Sequence, residues 1–138
     1  MIKEKKEFKV SVVIPTYNRV AYLGRAINSV LKQSYPVNEI IVIDNGSTDQ
    51  TLNFIKKKFN SIRIIIEKKR GVSFARNLGI KNCKYNWIAF LDSDDEWIAD
   101  KIEKQFILLK KSNFKYQFIH TNEIWIKNGI QKNQKKNT

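Results

Sequence analysis

The chain has one cysteine, one histidine and no apolar run near the length of a membrane span. Cys83 has no partner for an internal disulfide, and with His120 as the sole histidine a zinc site is not expected. A bilayer crossing needs about 20 consecutive apolar residues. The N-terminal stretch MIKEKKEFK is charged and has no signal-peptide core, so the expected location is cytoplasmic. His120 lacks any Ser or Cys nucleophile signature around it; it reads as a packed strand residue and receives no catalytic role. Acidic residues are the other scarcity, with 13 Asp+Glu against 26 Lys+Arg and a net charge of +13. So basic a chain can attract nucleic acid, an anionic membrane surface or a phosphorylated ligand, and charge alone does not choose among them.

At 138 residues, with 42% hydrophobic and 12% aromatic content, there is material for one globular domain with a core but little for two. A β-branched run from Val10 to Ile14, ended by Pro15, predicts a buried strand. Leu23, Ile27, Val30 and Leu31 follow at helical spacing, with Pro36 just beyond. Ile40 to Ile43 form a second apolar run, and Ser47 and Gln50 stand at the spacing of a capping box before a helix carrying Leu52, Ile55 and Phe59. The pattern repeats with IRIII, the helical VSFARNLGI, and a fourth strand from Trp87 to Leu91. Ile98, Ile102, Phe106 and Leu109 mark a long helix, YQFIHTNEIWI a further strand, and Asn128-Gly129 a turn. Strands that are apolar throughout, alternating with amphipathic helices, predict a doubly wound, mostly parallel α/β sheet with helices on both faces. The expected domain covers residues 1–126, followed by a basic polar tail at 127–138 that is a frayed end or the cut end of a longer protein.

In such sheets ligands bind beyond the carboxyl ends of the strands. Three of those ends carry polar clusters: PTYN, DNGSTD and DSDD. Five of the 13 acidic residues, Asp92, Asp94, Asp95, Glu96 and Asp100, fall within nine positions after the fourth strand. One Asp would suffice to cap the helix expected to begin near Ile98. Three close carboxylates repel one another unless a cation or several donors compensate them, which favours a divalent-metal site. Hard oxygen ligands indicate Mg²⁺ or Mn²⁺, and Mg²⁺ is commonly held by one or two carboxylates together with substrate phosphates. A turn accounts for Gly46 and Ser47 but not for Asp44 and Asn45, whose carboxylate and amide can recognise a base or ribose. Tyr17 is either ordinary packing or a stacking platform for a planar base. Lys68, Lys69 and Arg70 read as a solvated loop, while Gly71 and the helix behind it could approach phosphates, with Arg76 one turn further in.

The segments VSVVIPTYNR, EIIVIDNGSTDQT, GVSFARNLGI and WIAFLDSDDEW, in this order and spacing, resemble the nucleotide-sugar-binding half of the family 2 glycosyltransferases, which have the Rossmann-like GT-A fold. The resemblance covers about Lys9 to Phe106. It implies that Pro15, Thr16 and Tyr17 hold the nucleoside, that Asp44 and Asn45 read the base, and that Arg76 lies near the diphosphate. Asp92-Ser93-Asp94 is similar to the family's DxD motif, with Asp94 and Asp95 contacting ribose and the Mg²⁺ or Mn²⁺ ion. The implied reaction is inverting transfer of a sugar from a nucleotide-diphosphate donor to a saccharide or lipid-linked acceptor hydroxyl. Many members have Asp-Asp where this chain has Asp44-Asn45. The family's general base normally lies in a second half, and Glu123 does not match its position.

The expectation is therefore a glycosyltransferase domain; the alternative is a non-catalytic nucleotide-sugar-binding module lacking the acceptor half. The Lys-rich termini predict peripheral contact with anionic membrane. A nucleic-acid-binding protein is disfavoured by the absence of RNP-type aromatics and zinc-finger spacing. A DxD-type phosphatase is disfavoured by Glu96, where its motif needs Thr or Val.

Overall fold

A computed structural model describes residues 7–132. Strands β1 (Val10–Thr16), β2 (Glu39–Asp44), β3 (Arg63–Ile66) and β4 (Trp87–Phe90) form one parallel sheet in the order β3-β2-β1-β4. Helices α1 (Val20–Leu31), α2 (Thr51–Lys58) and α3 (Val72–Asn82) connect successive strands, and α4 (Lys101–Lys111) follows β4. The apolar strand runs are explained by two cores, one on each face. Val10, Val12, Ile14, Ile40 and Val42 pack with Leu23 and Ile27 of α1, Ile55 of α2, and Ile102 and Leu109 of α4. The alternate residues Val13, Ile41 and Ile43 pack with Ala75 and Leu78 of α3. The sheet thus reverses its winding between β1 and β4, which puts the crevice of a doubly wound fold at the carboxyl ends of those strands. Gly79 permits the α3 side of this arrangement: a Cβ there would lie 2.3 Å from Val13 Cγ1.

At the opposite end of the sheet a buried carboxylate ties three segments together. Glu39 Oε1 accepts hydrogen bonds from Ser11 Oγ at 2.8 Å and from the Lys84 N–H at 2.9 Å, and Arg63 donates to Oε2 at 2.9 Å. Burial pushes the Glu39 carboxyl up, but the bonds from Lys84, Ser11 and Arg63 more than offset it and hold the group below the usual carboxylate range.

Several expectations are corrected. Pro15 does not end β1; it pairs in register with Ile43. Thr16 C=O and Val13 C=O accept from Asn45 N–H and Leu91 N–H respectively, so Pro15 turns its missing donor toward β4, just where that strand gives way to the acidic loop. Ser47 does not cap α2. Its Oγ accepts from the Asn18 N–H, while Asp49 Oδ1 takes the Thr51 N–H at 2.9 Å. The helix expected from Ile98 starts at Lys101, with Ile98 exposed. Of the strand expected in YQFIHTNEIWI only Trp125 and Ile126 join one, as part of β5 (Trp125–Lys127), because a strand requires a partner and its partner is Ile130–Lys132 (β6). That hairpin turns at Asn128 and Gly129 in positive φ and runs on both sides of the expected boundary at 126. Residues 133–138 of the expected tail lie outside the described residues.

Candidate functional site

The polar clusters converge at the carboxyl edge because parallel pairing puts them there. Thr16 is in register with Asp44 across β1 and β2, and Asn45 N–H donates to Thr16 C=O at 2.9 Å. Both expected nucleoside contacts from β1, Pro15 and Thr16, are buried, and Tyr17 is half-buried. Asp44, 1% exposed, accepts the Gly46 and Ser47 N–H groups on Oδ2 at 3.1 and 3.0 Å. Its Oδ1 has no partner. Among the described residues three buried side-chain polar atoms lack one, Thr16 Oγ1, Asp44 Oδ1 and Arg76 Nε, and all three lie at this edge. Buried polar atoms ordinarily find partners, so their concentration here makes this edge the candidate binding site.

Asn45 behaves differently from its neighbour. Nδ2 donates to the carbonyls of Glu67 and Lys69 at 3.0 and 2.7 Å, and Oδ1 accepts the Gly71 N–H at 2.9 Å. Its amide therefore clamps the β3–α3 loop, and of the pair expected to read a base only Asp44 keeps an unused atom facing the edge. Asn18, at φ +48°, makes a second clamp: Oδ1 accepts the Thr48 N–H at 2.7 Å and the Asp49 N–H at 3.2 Å, joining the β1–α1 and β2–α2 loops. Arg70 was missed as more than a solvated loop residue; its guanidinium sits 3.5 Å from the Tyr17 ring centroid. Local patterns gave no signal for either contact, since each joins segments far apart in the chain.

At the β4 end, Arg76 Nη2 donates to Asp92 Oδ1 at 2.9 Å. That ion pair joins α3 to the acidic loop, whose turn is closed by Asp95 N–H bonding to Asp92 C=O. Asp94 and Asp95 carry much of their surface in water. Partial burial of the Asp95 carboxyl, together with the charges of Asp94, Asp92 and Glu123, pushes it above the usual range. Asp92 is engaged by Arg76, while Asp94 and Asp95 are exposed in the same loop. No group of three or more His, Cys, Asp or Glu side chains converges as a metal cage among the described residues. Two hard oxygen ligands in a field of like charge nevertheless fit an ion such as Mg²⁺ or Mn²⁺ that completes its shell with phosphate and water. A separate cavity of about 390 Å³ lies at the open side of β4, lined by Trp87, Trp97, Lys101, Phe118 and His120 among others.

The Glycosyl transferase family 2 profile matches residues 11–133. An uncharacterized glycosyltransferase of Rickettsia felis is 50% identical over 115 residues, covering 82% of this chain and 19% of that protein. The Escherichia coli UDP-Glc:alpha-D-GlcNAc-diphosphoundecaprenol beta-1,3-glucosyltransferase WfgD is 38% identical over 126 residues, covering 86% of this chain and 49% of its own length. The chain thus spans half or less of these relatives. Among solved structures, Staphylococcus aureus TarS 1–349 in complex with UDP-GlcNAc superposes with a TM-score of 0.65 at 29% identity, over 77% of this chain and 32% of that one. Mycobacterium tuberculosis glucosyl-3-phosphoglycerate synthase, in complex with Mn²⁺, UDP and glucosyl-3-phosphoglycerate, gives 0.52 at 25% identity, over 64% and 35%. The α/β sheet and its helices have the GT-A architecture.

Proposed function

The chain belongs to glycosyl transferase family 2, and from that premise we propose that it is the donor-binding part of an inverting glycosyltransferase that uses a nucleotide-diphosphate sugar. The observation that carries this reading is the set of unpartnered buried atoms, Thr16 Oγ1, Asp44 Oδ1 and Arg76 Nε, along one sheet edge. Asp44 Oδ1 accepts an N–H of the base, and Thr16 offers its hydroxyl to the nucleoside. Tyr17 presents an aromatic face for stacking. Arg76, fixed by Asp92, stands beside the diphosphate as a planar positive charge. Asp94 and Asp95 hold Mg²⁺ or Mn²⁺. That ion, when bound, neutralises charge on the leaving diphosphate. The negative field of these carboxylates would repel a nucleotide that arrives without the metal they would hold.

The acceptor is proposed to be a saccharide or lipid-linked hydroxyl, by likeness to the undecaprenol-linked acceptor in the name of the Escherichia coli relative. A basic chain of net charge +13 meeting such an acceptor at the cytoplasmic face of a membrane is supported by the attraction of Lys and Arg to anionic lipid. No helix among the described residues is long and apolar enough to cross a membrane. The chain spans about half of the length of that relative.

Calorimetric titration with UDP and GDP, with and without Mn²⁺, tests donor binding. Metal-dependent binding of either nucleotide is the expected result; no binding of both would refute it. Adding the corresponding UDP-sugars or GDP-sugars with a saccharide acceptor then separates transfer from binding alone.

A further inference from the structure

The Arg70 guanidinium on Tyr17, 3.5 Å from the ring centroid, is the closest cation-on-ring contact among the described residues, the others lying at 5.5 Å or beyond. It joins the β1–α1 loop to the β3–α3 loop across the mouth of the candidate site. The backbone on both sides of Arg70 is fixed, because Asn45 takes hydrogen bonds from Gly71 N–H and gives one to Lys69 C=O. Gly71 itself has φ +135°, and a Cβ there would come within 3.3 Å of the Phe74 ring, so this part of the loop depends on glycine. Arg70 is exposed, however, and its long side chain is free to turn about an anchored Cα.

A free site therefore presents a stacking ring whose one face is already occupied. A base that stacks on Tyr17 from the side Arg70 covers competes with the guanidinium for that face. A guanidinium over an aromatic ring at an exposed position is a weak contact, whereas a guanidinium on phosphate oxygens is charge-assisted and bidentate. Exchange of the first for the second is favourable only when the ligand carries both a base and phosphates.

We propose that Arg70 is a two-position residue: a cap on Tyr17 in the free protein, displaced by the base onto the diphosphate of the bound nucleotide. This rests on the assignment of the edge as a donor site, and it adds a selection step to it. Nucleosides, which lack phosphate, must uncover Tyr17 without compensation, so the cap discriminates against them. Asn45 acts through the loop as a positioning residue, keeping the Arg70 Cα within reach of both places.

The test is titration of the chain, with Mn²⁺ present, by uridine and by UDP, comparing wild type with Arg70→Ala and Arg70→Lys. Loss of the cap in Arg70→Ala is expected to tighten uridine about two- to fivefold and to weaken UDP on the order of tenfold. Arg70→Lys keeps a charge but not the planar fork, and it should recover part of the UDP affinity. Opposite signs for the two ligands are the signature, since general damage to the loop would weaken both. Equal weakening of uridine and UDP would overturn the proposal, by making Arg70 a fixed wall of the base site. No change in either would overturn it as well. Failure of wild type to bind UDP or GDP falls on the donor-site reading itself and removes this inference with it.

Discussion

Glu39 and Asp44 stand at the two ends of the same strand, both with little exposure, and the protein treats them in opposite ways. Glu39 has three donors on its two oxygens, from Ser11, Lys84 and Arg63. Asp44 has two backbone donors on one oxygen and none on the other. The contrast extends to the loops: Asp92 has Arg76, whereas the Asp95 carboxyl meets the like charges of Asp94, Asp92 and Glu123. This fold can satisfy a buried carboxylate from its own chain and does so at the amino edge of the sheet. Where it leaves acceptors bare at the carboxyl edge, the proposed nucleotide and metal ion would supply the missing donors and charge.

The contrast can be broken most decisively at the acidic loop. Asp94→Asn is expected to lower Mn²⁺-dependent nucleoside diphosphate affinity by about 10- to 100-fold, a loss known even for residues that only support a metal ligand. Titration with and without Mn²⁺ checks it, and the thermal melt should hardly move. Binding that is metal-independent and indifferent to the substitution would make these carboxylates a capping loop instead. Glu39→Ala should do the reverse. It leaves Ser11, the Lys84 N–H and Arg63 without their acceptor, so unfolding free energy should drop by about 2 kcal/mol, with nucleotide affinity unchanged in a chain that still folds. Denaturant titration alongside calorimetry reads both quantities.

Asn45→Asp tests the middle case. A carboxylate can still accept the Gly71 N–H but cannot donate to Glu67 C=O or Lys69 C=O, so a loss of about 1 kcal/mol is expected. Faster hydrogen exchange in residues 67–71 would locate that loss in the loop, and unchanged exchange would show that the clamp is not what holds it. The smallest effect concerns pH. The depressed Glu39 pKa contributes stability above the unfolded carboxylate range, and this is lost as pH falls through the folded value. The raised Asp95 pKa works the other way: protonation is favoured in the folded state, so its contribution is lost as pH rises from the unfolded value through the folded one. Without metal, Asp95→Asn should flatten this slope on the acid side of neutrality, whereas Glu39→Gln should reduce the acid lability. Melting curves across pH 3 to 7 distinguish the two, and parallel curves for wild type and both variants would show that neither group titrates as its surroundings demand.

The α/β alternation was legible because the central strands β1 and β2 are buried on both faces and the helices on one, which imprints continuous and periodic apolar patterns on short stretches of chain. Segments whose partner is remote were less legible. YQFIHTNEIWI has strand composition, yet only Trp125 and Ile126 of it pair, and Phe118 is 82% exposed. Strand propensity expresses fit to a neighbouring surface, and composition does not say whether that neighbour is present.

The same division runs through the site. The sequence by itself determined that polar clusters follow directly on the apolar runs of β1, β2 and β4, with Asp92 just past Phe90; the true end of β1 and the register that sets Thr16 beside Asp44 came from strand pairing. Only the tertiary structure decided how those residues are used. Asn45 clamps a loop 22 to 26 positions away, Arg70 covers Tyr17 from another loop, and Arg76 takes Asp92 out of the free acidic set. An amide, a guanidinium or a carboxylate has the same hydrogen-bonding capacity wherever it stands. Which of its atoms remain open to a ligand depends on the chain segments that folding brings against it.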